Sequence, residues 1–322
     1  MTNPSSVGSV PPPGQEPPSQ PESTPIARFV AGVSSPRNAL FLFLVIFSIL
    51  VFWTPLSTVV RYSLTGGHQY DKYSHILLIP FITLALVYFE TGRIFKSVQY
   101  DHRIGVVLLL LSLILDGWAG VAANQLGPEN ALSAKILALI LFWNAGFILC
   151  YGMRAFRAAA FPLLLLLLAV PIPDLLLDVP ISFVRHESAD VCSLIFNLAG
   201  VPYLRDGYLF ALPTISIEVA KECSGIHSTI ALVIVGLVAA HLFLPSLWKK
   251  ILLVLLALPI VCFTNGLRIA GLTLLSVYVD PRFMHSGLHR DGGVAFFTLG
   301  LVLMYAILRL LQRGQRVKRA NA

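Results

Sequence analysis

The chain has 322 residues, 56% of them apolar and only 12% charged, with a net charge of +7. Soluble domains carry roughly 25% charged residues, so the composition excludes a soluble dinucleotide-binding enzyme, a nucleic-acid module and a disulfide-stapled secreted domain. Repeated uncharged runs near membrane-spanning length make it an integral membrane protein.

In chain order, residues 1–37 form a Pro-rich tail with eight prolines between positions 4 and 25. Such a segment buries too little apolar surface to offset its ordering entropy and is expected to be disordered. The first apolar run starts near Ala39, too late and too long for a cleavable signal peptide. Windows of about 17–25 apolar residues then predict eight spans, at 39–60, 74–90, 104–123, 136–153, 157–173, 224–246, 251–278 and 292–309. The fifth is short and flanked by proline, and the seventh is long enough to tilt or to break at Asn265-Gly266. Backbone polar groups in lipid must pair internally, and the runs lack barrel alternation, so the fold class is all-α membrane with about eight transmembrane helices. Residues 38–310 make one polytopic domain, and 311–322 a basic tail.

The long connection 174–223 is expected to form a layer outside the bilayer. Its first part, Asp174 to Gly200, mixes apolar triplets with Asp178, Arg185, Glu187 and Asp190, as an interfacial or re-entrant amphipathic helix does. Its second part, Tyr208 to Val219, alternates about Leu212-Pro213-Thr214 as a short hairpin does. Lys and Arg in the loops set orientation. With both termini on one side, fourteen fall there and eight on the other, with Arg268 inside a span. The termini are therefore predicted to be cytoplasmic and the 174–223 layer extracytoplasmic.

Ionisable groups at spans are expensive, and each is a functional candidate. Three segments hold them: Lys221-Glu222-Cys223-Ser224-Gly225-Ile226-His227, Asn265-Gly266-Leu267-Arg268, and His285-Ser286-Gly287-Leu288-His289-Arg290-Asp291-Gly292-Gly293. Arg268 lies eighteen residues beyond Lys250, or about 27 Å of helix against a hydrocarbon core of ~30 Å. That puts it near the outer boundary, at the depth where Cys223 and His289 fall by the same topology. Cys, Arg and His at one depth suit acyl transfer. A thiolate is the nucleophile, an imidazole carries its proton, and a guanidinium favours the thiolate or a developing oxyanion. Helix N–H groups after Cys223 are further oxyanion donors.

These residues resemble the exosortase/archaeosortase family of multi-pass membrane cysteine transpeptidases. Its Cys-Ser-Gly-Ile element is similar to 223–226, its Asn-x-x-Arg element to 265–268, and its His-x-x-x-Gly-x-x-x-Phe element to His289, Gly293 and Phe297. Tyr73-Ser74-His75 and Pro171-Ile172-Pro173 are supporting matches, and the resemblance covers about 40–310. It implies a membrane-anchored substrate carrying a C-terminal sorting signal: a short motif often containing Pro-Glu-Pro, a transmembrane helix and a basic tail. It also implies Cys223 as nucleophile, His289 as acid/base and Arg268 as stabiliser, with Ser224, Gly225, Asn265 and Glu222 in supporting positions, and no cofactor. Glu222 departs from the family, where a small residue is common, and its charge opposes a neighbouring thiolate unless Lys221 or Arg268 compensates. The implied location is the cell inner membrane, with exopolysaccharide-pathway proteins as candidate partners and no nucleic acid.

Other readings stand beside this one. Cys150 and Cys262 read as buried packing thiols, and Cys192 as a thiol able to bridge to Cys223. His75 and Asp116 read as interhelical hydrogen-bonding groups. Cys223 and His227, like His285 and His289, are four apart and could share a zinc ion in a metallopeptidase, although no His-Glu-x-x-His element occurs. A transporter or exopolysaccharide-export subunit would use Arg268 as an anion site, although the sequence lacks paired half-helices.

Overall fold

The structure, a computed structural model, describes residues 35–65, 73, 75–96, 98–219, 226–280, 282 and 293–320. Helix α1 (Pro36–Val51) starts as its sequence dictates, with the Ser35 hydroxyl accepting from the Asn38 amide at 3.4 Å and Pro36 in the first turn. It turns by 77° at Phe52 into α2 (Trp53–Thr65). Then come α3 (Leu78–Phe89), α4 (His102–Val121), α5 (Pro128–Ala158) and α6 (Ala160–Leu165), the last continued by a 3₁₀ turn at Leu166–Ala169. After α7 (Asp174–Leu198) and the strands β1 (Leu204–Asp206), β2 (Leu209–Ala211) and β3 (Ser216–Glu218), the chain closes with α8 (Ile226–Phe243), α9 (Leu247–Leu255), α10 (Ala257–Tyr278) and α11 (Gly293–Ala320).

Every predicted span overlaps an apolar helix, but not every such helix is long enough to cross. Among the described residues four spans pass by length and composition, namely α4, α5, the joined α9–α10 and α11, or five if the bent α1–α2 pair is one span. The shorter apolar helices are Leu78–Phe89, Ala160–Ala169 and Ser228–Phe243. Twelve helical residues reach only about 18 Å against a hydrocarbon thickness of ~30 Å, so the count of eight is approximate.

Within α5 the backbone kinks at Gly152, whose φ is 85°, and three other interruptions share a different cause. Helices α1, α5 and α9 end at Val51, Ala158 and Leu255, four residues before Pro55, Pro162 and Pro259. Each is the residue whose carbonyl the missing proline N–H would have met. The seventh span therefore breaks at Leu256 and not at Asn265-Gly266, where the helix runs on unbroken.

Helices α4 and α5 form a close antiparallel pair. Gly105, Ser112 and Ala119 are buried at seven-residue intervals on α4, and a Cβ on Gly105 would lie 2.7 Å from the Leu149 Cα. At one face of the bundle, polar contacts join helix ends. Tyr151 donates to the Asn38 side chain at 2.7 Å, and the Gln99 amide to the Tyr151 carbonyl at 3.2 Å. Arg93 donates to the Ala158 carbonyl at 2.8 Å, and Lys249 to the Leu311 carbonyl at 2.6 Å. Glu90 meets both Arg93 and His241, and the His241 ring stacks on Phe161 with centroids 3.9 Å apart. These are the segments that the charge count assigns to a common side.

Both elements expected of the 174–223 connection are present among the described residues. The expected amphipathic helix is α7, which packs along α10 with Val184, Ser188, Ala189, Cys192 and Phe196 buried. The expected hairpin is β2–β3, paired Leu209 to Glu218, Phe210 to Ile217 and Ala211 to Ser216. Strand β1 extends it into an antiparallel sheet of order β1-β2-β3. The sheet seats on α7 through the rings of Phe196, Tyr203 and Phe210, whose centroids lie 5.6–5.7 Å apart.

Candidate active site at the head of α8, α10 and α11

Three helices carry or adjoin the motif residues, and they pack together. A Cβ on Gly300 of α11 would meet Ile260 of α10 at 3.6 Å and Leu232 of α8 at 3.8 Å, so these three residues share one level. Gly236 and Met304, one turn further along α8 and α11, also meet, which makes those two helices parallel, and the Lys249–Leu311 bond makes the α9–α10 run antiparallel to α11. From the shared level Ile226 is six residues back, Arg268 eight on and Gly293 seven back. At 1.5 Å per residue these are rises of about 9, 12 and 10 Å. Arg268 therefore sits near the level at which α8 and α11 begin.

The surroundings of Arg268 are built by α7. Asn265 is buried, and its Nδ2 donates to the Ser188 hydroxyl at 3.1 Å. A Cβ on Gly266 would fall 2.6 Å from the Val191 Cβ and 2.8 Å from the Ser188 carbonyl, so only glycine permits this approach of the two backbones. The Cys192 thiol donates to the Gly266 carbonyl at 3.3 Å. One turn before Ser188, Arg185 donates from Nε to the Val219 carbonyl at 2.7 Å, lies 3.9 Å above the Tyr208 ring and pairs with Glu218 at 3.4 Å. The helix α7 thus touches both the motif turn of α10 and Val219, the last described residue before the Cys223 segment.

Of the predicted site residues, Asn265 and Arg268 lie in α10, the first buried and the second partly so. Glu222, Cys223, Ser224, Gly225 and His289 lie outside the described residues, as do His285 and the side chain of His227, and with them the zinc arrangement. Cys192 is a free thiol, fully buried at the α7–α10 seam, and Cys150 and Cys262 are buried free thiols as expected. Ser188 and Val191 were not legible as site residues. Their signal was faint: a serine in the Ser188-Ala189 pair on a face otherwise taken by apolar groups.

A family model described as transmembrane exosortase matches residues 68–306. The chain belongs to the transmembrane exosortase family. The matched region runs from before α3 into α11 and contains all three motif segments of this exosortase. Neither a characterised relative nor a solved structure matches the chain.

Proposed function

We propose that this exosortase is a membrane cysteine transpeptidase that cleaves a C-terminal sorting signal from an exported, membrane-anchored protein. The observation that supports this reading is the common level of Arg268 and the starts of α8 and α11. Cys223 stands three positions before Ile226 and His289 four positions before Gly293. A chain reaches at most about 3.5 Å per residue, so covalent connectivity tethers thiol and imidazole to the helix starts nearest the guanidinium. The first turn of α8 leaves N–H groups without intrahelical acceptors, aimed at the same end.

In the proposed reaction His289 accepts the Cys223 proton and the thiolate attacks the scissile carbonyl. Arg268 stabilises the anionic tetrahedral species. Collapse breaks the C–N bond, His289 returns the proton to the leaving amine, and the resulting thioester passes to an amine acceptor or to water. The location that fits is the cell inner membrane with both termini cytoplasmic and the site on the outer face, where exopolysaccharide-pathway proteins are candidate partners.

The test is in-cell processing of a reporter ending in a Pro-Glu-Pro motif, a transmembrane helix and a basic tail, read as a size shift on a gel. Cys223→Ala and His289→Ala are expected to leave the reporter full-length. A Cys223→Ala protein that still processes it refutes thiol catalysis, whereas a wild type that leaves the reporter intact favours a transporter or export subunit, whose own function would tolerate Cys223→Ala.

A further inference from the structure

We infer that Arg185 is a positioning residue, which fixes the chain entering the Cys223 segment against the same helix that holds the Arg268 turn. The inference rests on the cysteine transpeptidase reading and adds a residue to it.

Arg185 has only 11% of its side chain exposed and satisfies three demands at once: a bond to the Val219 carbonyl, a face on Tyr208 and an ion pair with Glu218. A planar guanidinium can stack on a ring while donating several hydrogen bonds in its own plane. Val219, its main partner, is fully buried, donates its own amide to the Tyr208 carbonyl at 3.0 Å and stands four residues before Cys223. At its other end α7 is locked to α10 by the Ser188–Asn265 hydrogen bond and the Gly266 contact. Arg185 and Ser188 are three apart, hence on one helix face. Tying Val219 to α7 therefore fixes its distance from the turn that bears Arg268.

Attachment of the sheet does not need Arg185. Arg205 already clamps the sheet to α7, donating to Asp190 at 2.7 Å and to Ser193 at 2.9 Å, and the Phe196, Tyr203 and Phe210 rings bury the contact. Those anchors sit around β1 and β2, whereas Arg185 sits where the chain leaves β3. Its loss should release the exit of the sheet without detaching the sheet.

The experiment compares Arg185→Gln, Arg185→Lys, Tyr208→Leu, Arg205→Gln and Cys223→Ala, each normalised to folded protein in the membrane. Two quantities are read: reporter processing, and the rate at which N-ethylmaleimide alkylates Cys223, followed by mass spectrometry of its peptide. A displacement of about 1 Å at a reacting group can cost roughly a hundredfold in rate, so Arg185→Gln is expected to slow processing roughly 10- to 100-fold and to change the alkylation rate. Arg185→Lys and Tyr208→Leu, which each keep part of the arrangement, should fall between it and wild type. Arg205→Gln should stay near wild type in both. Either quantity unmoved in Arg185→Gln, or Arg205→Gln matching it, overturns the inference. Processing by Cys223→Ala would instead refute the transpeptidase reading, and alkylation alone would then decide whether Arg185 places the thiol. If Arg185→Gln does not accumulate, Tyr208→Leu decides by the same two readouts.

Discussion

Gly266→Ala tests the α7–α10 seam directly. The added Cβ would sit 2.6 Å from the Val191 Cβ and Cγ1 and 2.8 Å from the Ser188 carbonyl. Carbon contacts settle near 3.5–4.0 Å, so α7 must retreat by about 1 Å. The Asn265–Ser188 bond at 3.1 Å and the Cys192–Gly266 bond at 3.3 Å would then stretch beyond hydrogen-bonding range. Overpacking costs about 1–3 kcal/mol and stranding buried polar partners another 1–3 or so, against a helix-propensity gain of at most about 1. The net loss is roughly 1–5 kcal/mol, in a structure where packing and hydrogen bonds hold the helices together. The matched control is Gly271→Ala, five residues along the same helix, whose Cβ would meet nothing within 4 Å. Unfolding on heating in detergent can be followed by the reaction of the buried Cys192 thiol with a fluorogenic maleimide. Gly266→Ala should unfold several degrees below wild type and process poorly, while Gly271→Ala matches wild type. Equal stability and activity in the two variants would refute the reasoning.

Arg268→Lys keeps the charge but loses the planar fork, so processing should fall severely with normal expression; near-normal processing would reduce Arg268 to a structural role. His227→Ala and His285→Ala should retain most processing and a chelator should leave the wild type active, whereas a zinc site would lose activity in all three experiments. Single reporter cysteines at Ser63 and Arg316 in a cysteine-free background should label from opposite sides of the membrane; labelling of both from outside would remove the proposed location of the site. Gly152→Ala should prevent accumulation of folded protein, since Gly152 has φ 85° and its Cβ would lie 2.2 Å from the Gln99 carbonyl oxygen; normal accumulation, measured by blot, would show that this turn gives way.

Apolar runs were a sound guide to where helices lie, because lipid leaves the backbone no other way to pair its polar groups. They were a poor guide to length, since a run such as 74–90 looks continuous while its helix spans only Leu78–Phe89. The seventh span was expected to tilt or to break at Asn265-Gly266; the helix runs on through Gly266, and the only interruption lies at Leu256, just before Pro259. Glycine inside a helix loses only stability, whereas proline loses a hydrogen bond and adds a clash. The hairpin around Pro213-Thr214 was legible from local alternation, and β1 was not, because Leu204–Asp206 is too short to show a period. Asn265 and Arg268 stood out as polar groups in an apolar helix. Arg185 read only as one polar residue of an amphipathic helix, and Ser188 not at all, because their partners are 34 and 77 positions away. Pairing across such distances leaves no local pattern.

Lys249 and Arg268 share the nearly continuous α9–α10 rod, and the ammonium of Lys249 is fastened to the Leu311 carbonyl at the far face. Nineteen residues separate the two cations, about 28 Å along the rod. That interval is a fixed gauge set across a film whose thickness varies with its lipids by several ångströms. Short acyl chains would leave the guanidinium among headgroups and water; long ones would draw it under the surface, where a cation must deform the bilayer or find an anion. The setting of Arg268 is thus coupled to acyl-chain length, and reconstitution into phosphatidylcholines of graded length brings the proposed activity's dependence on it within reach of a simple rate measurement.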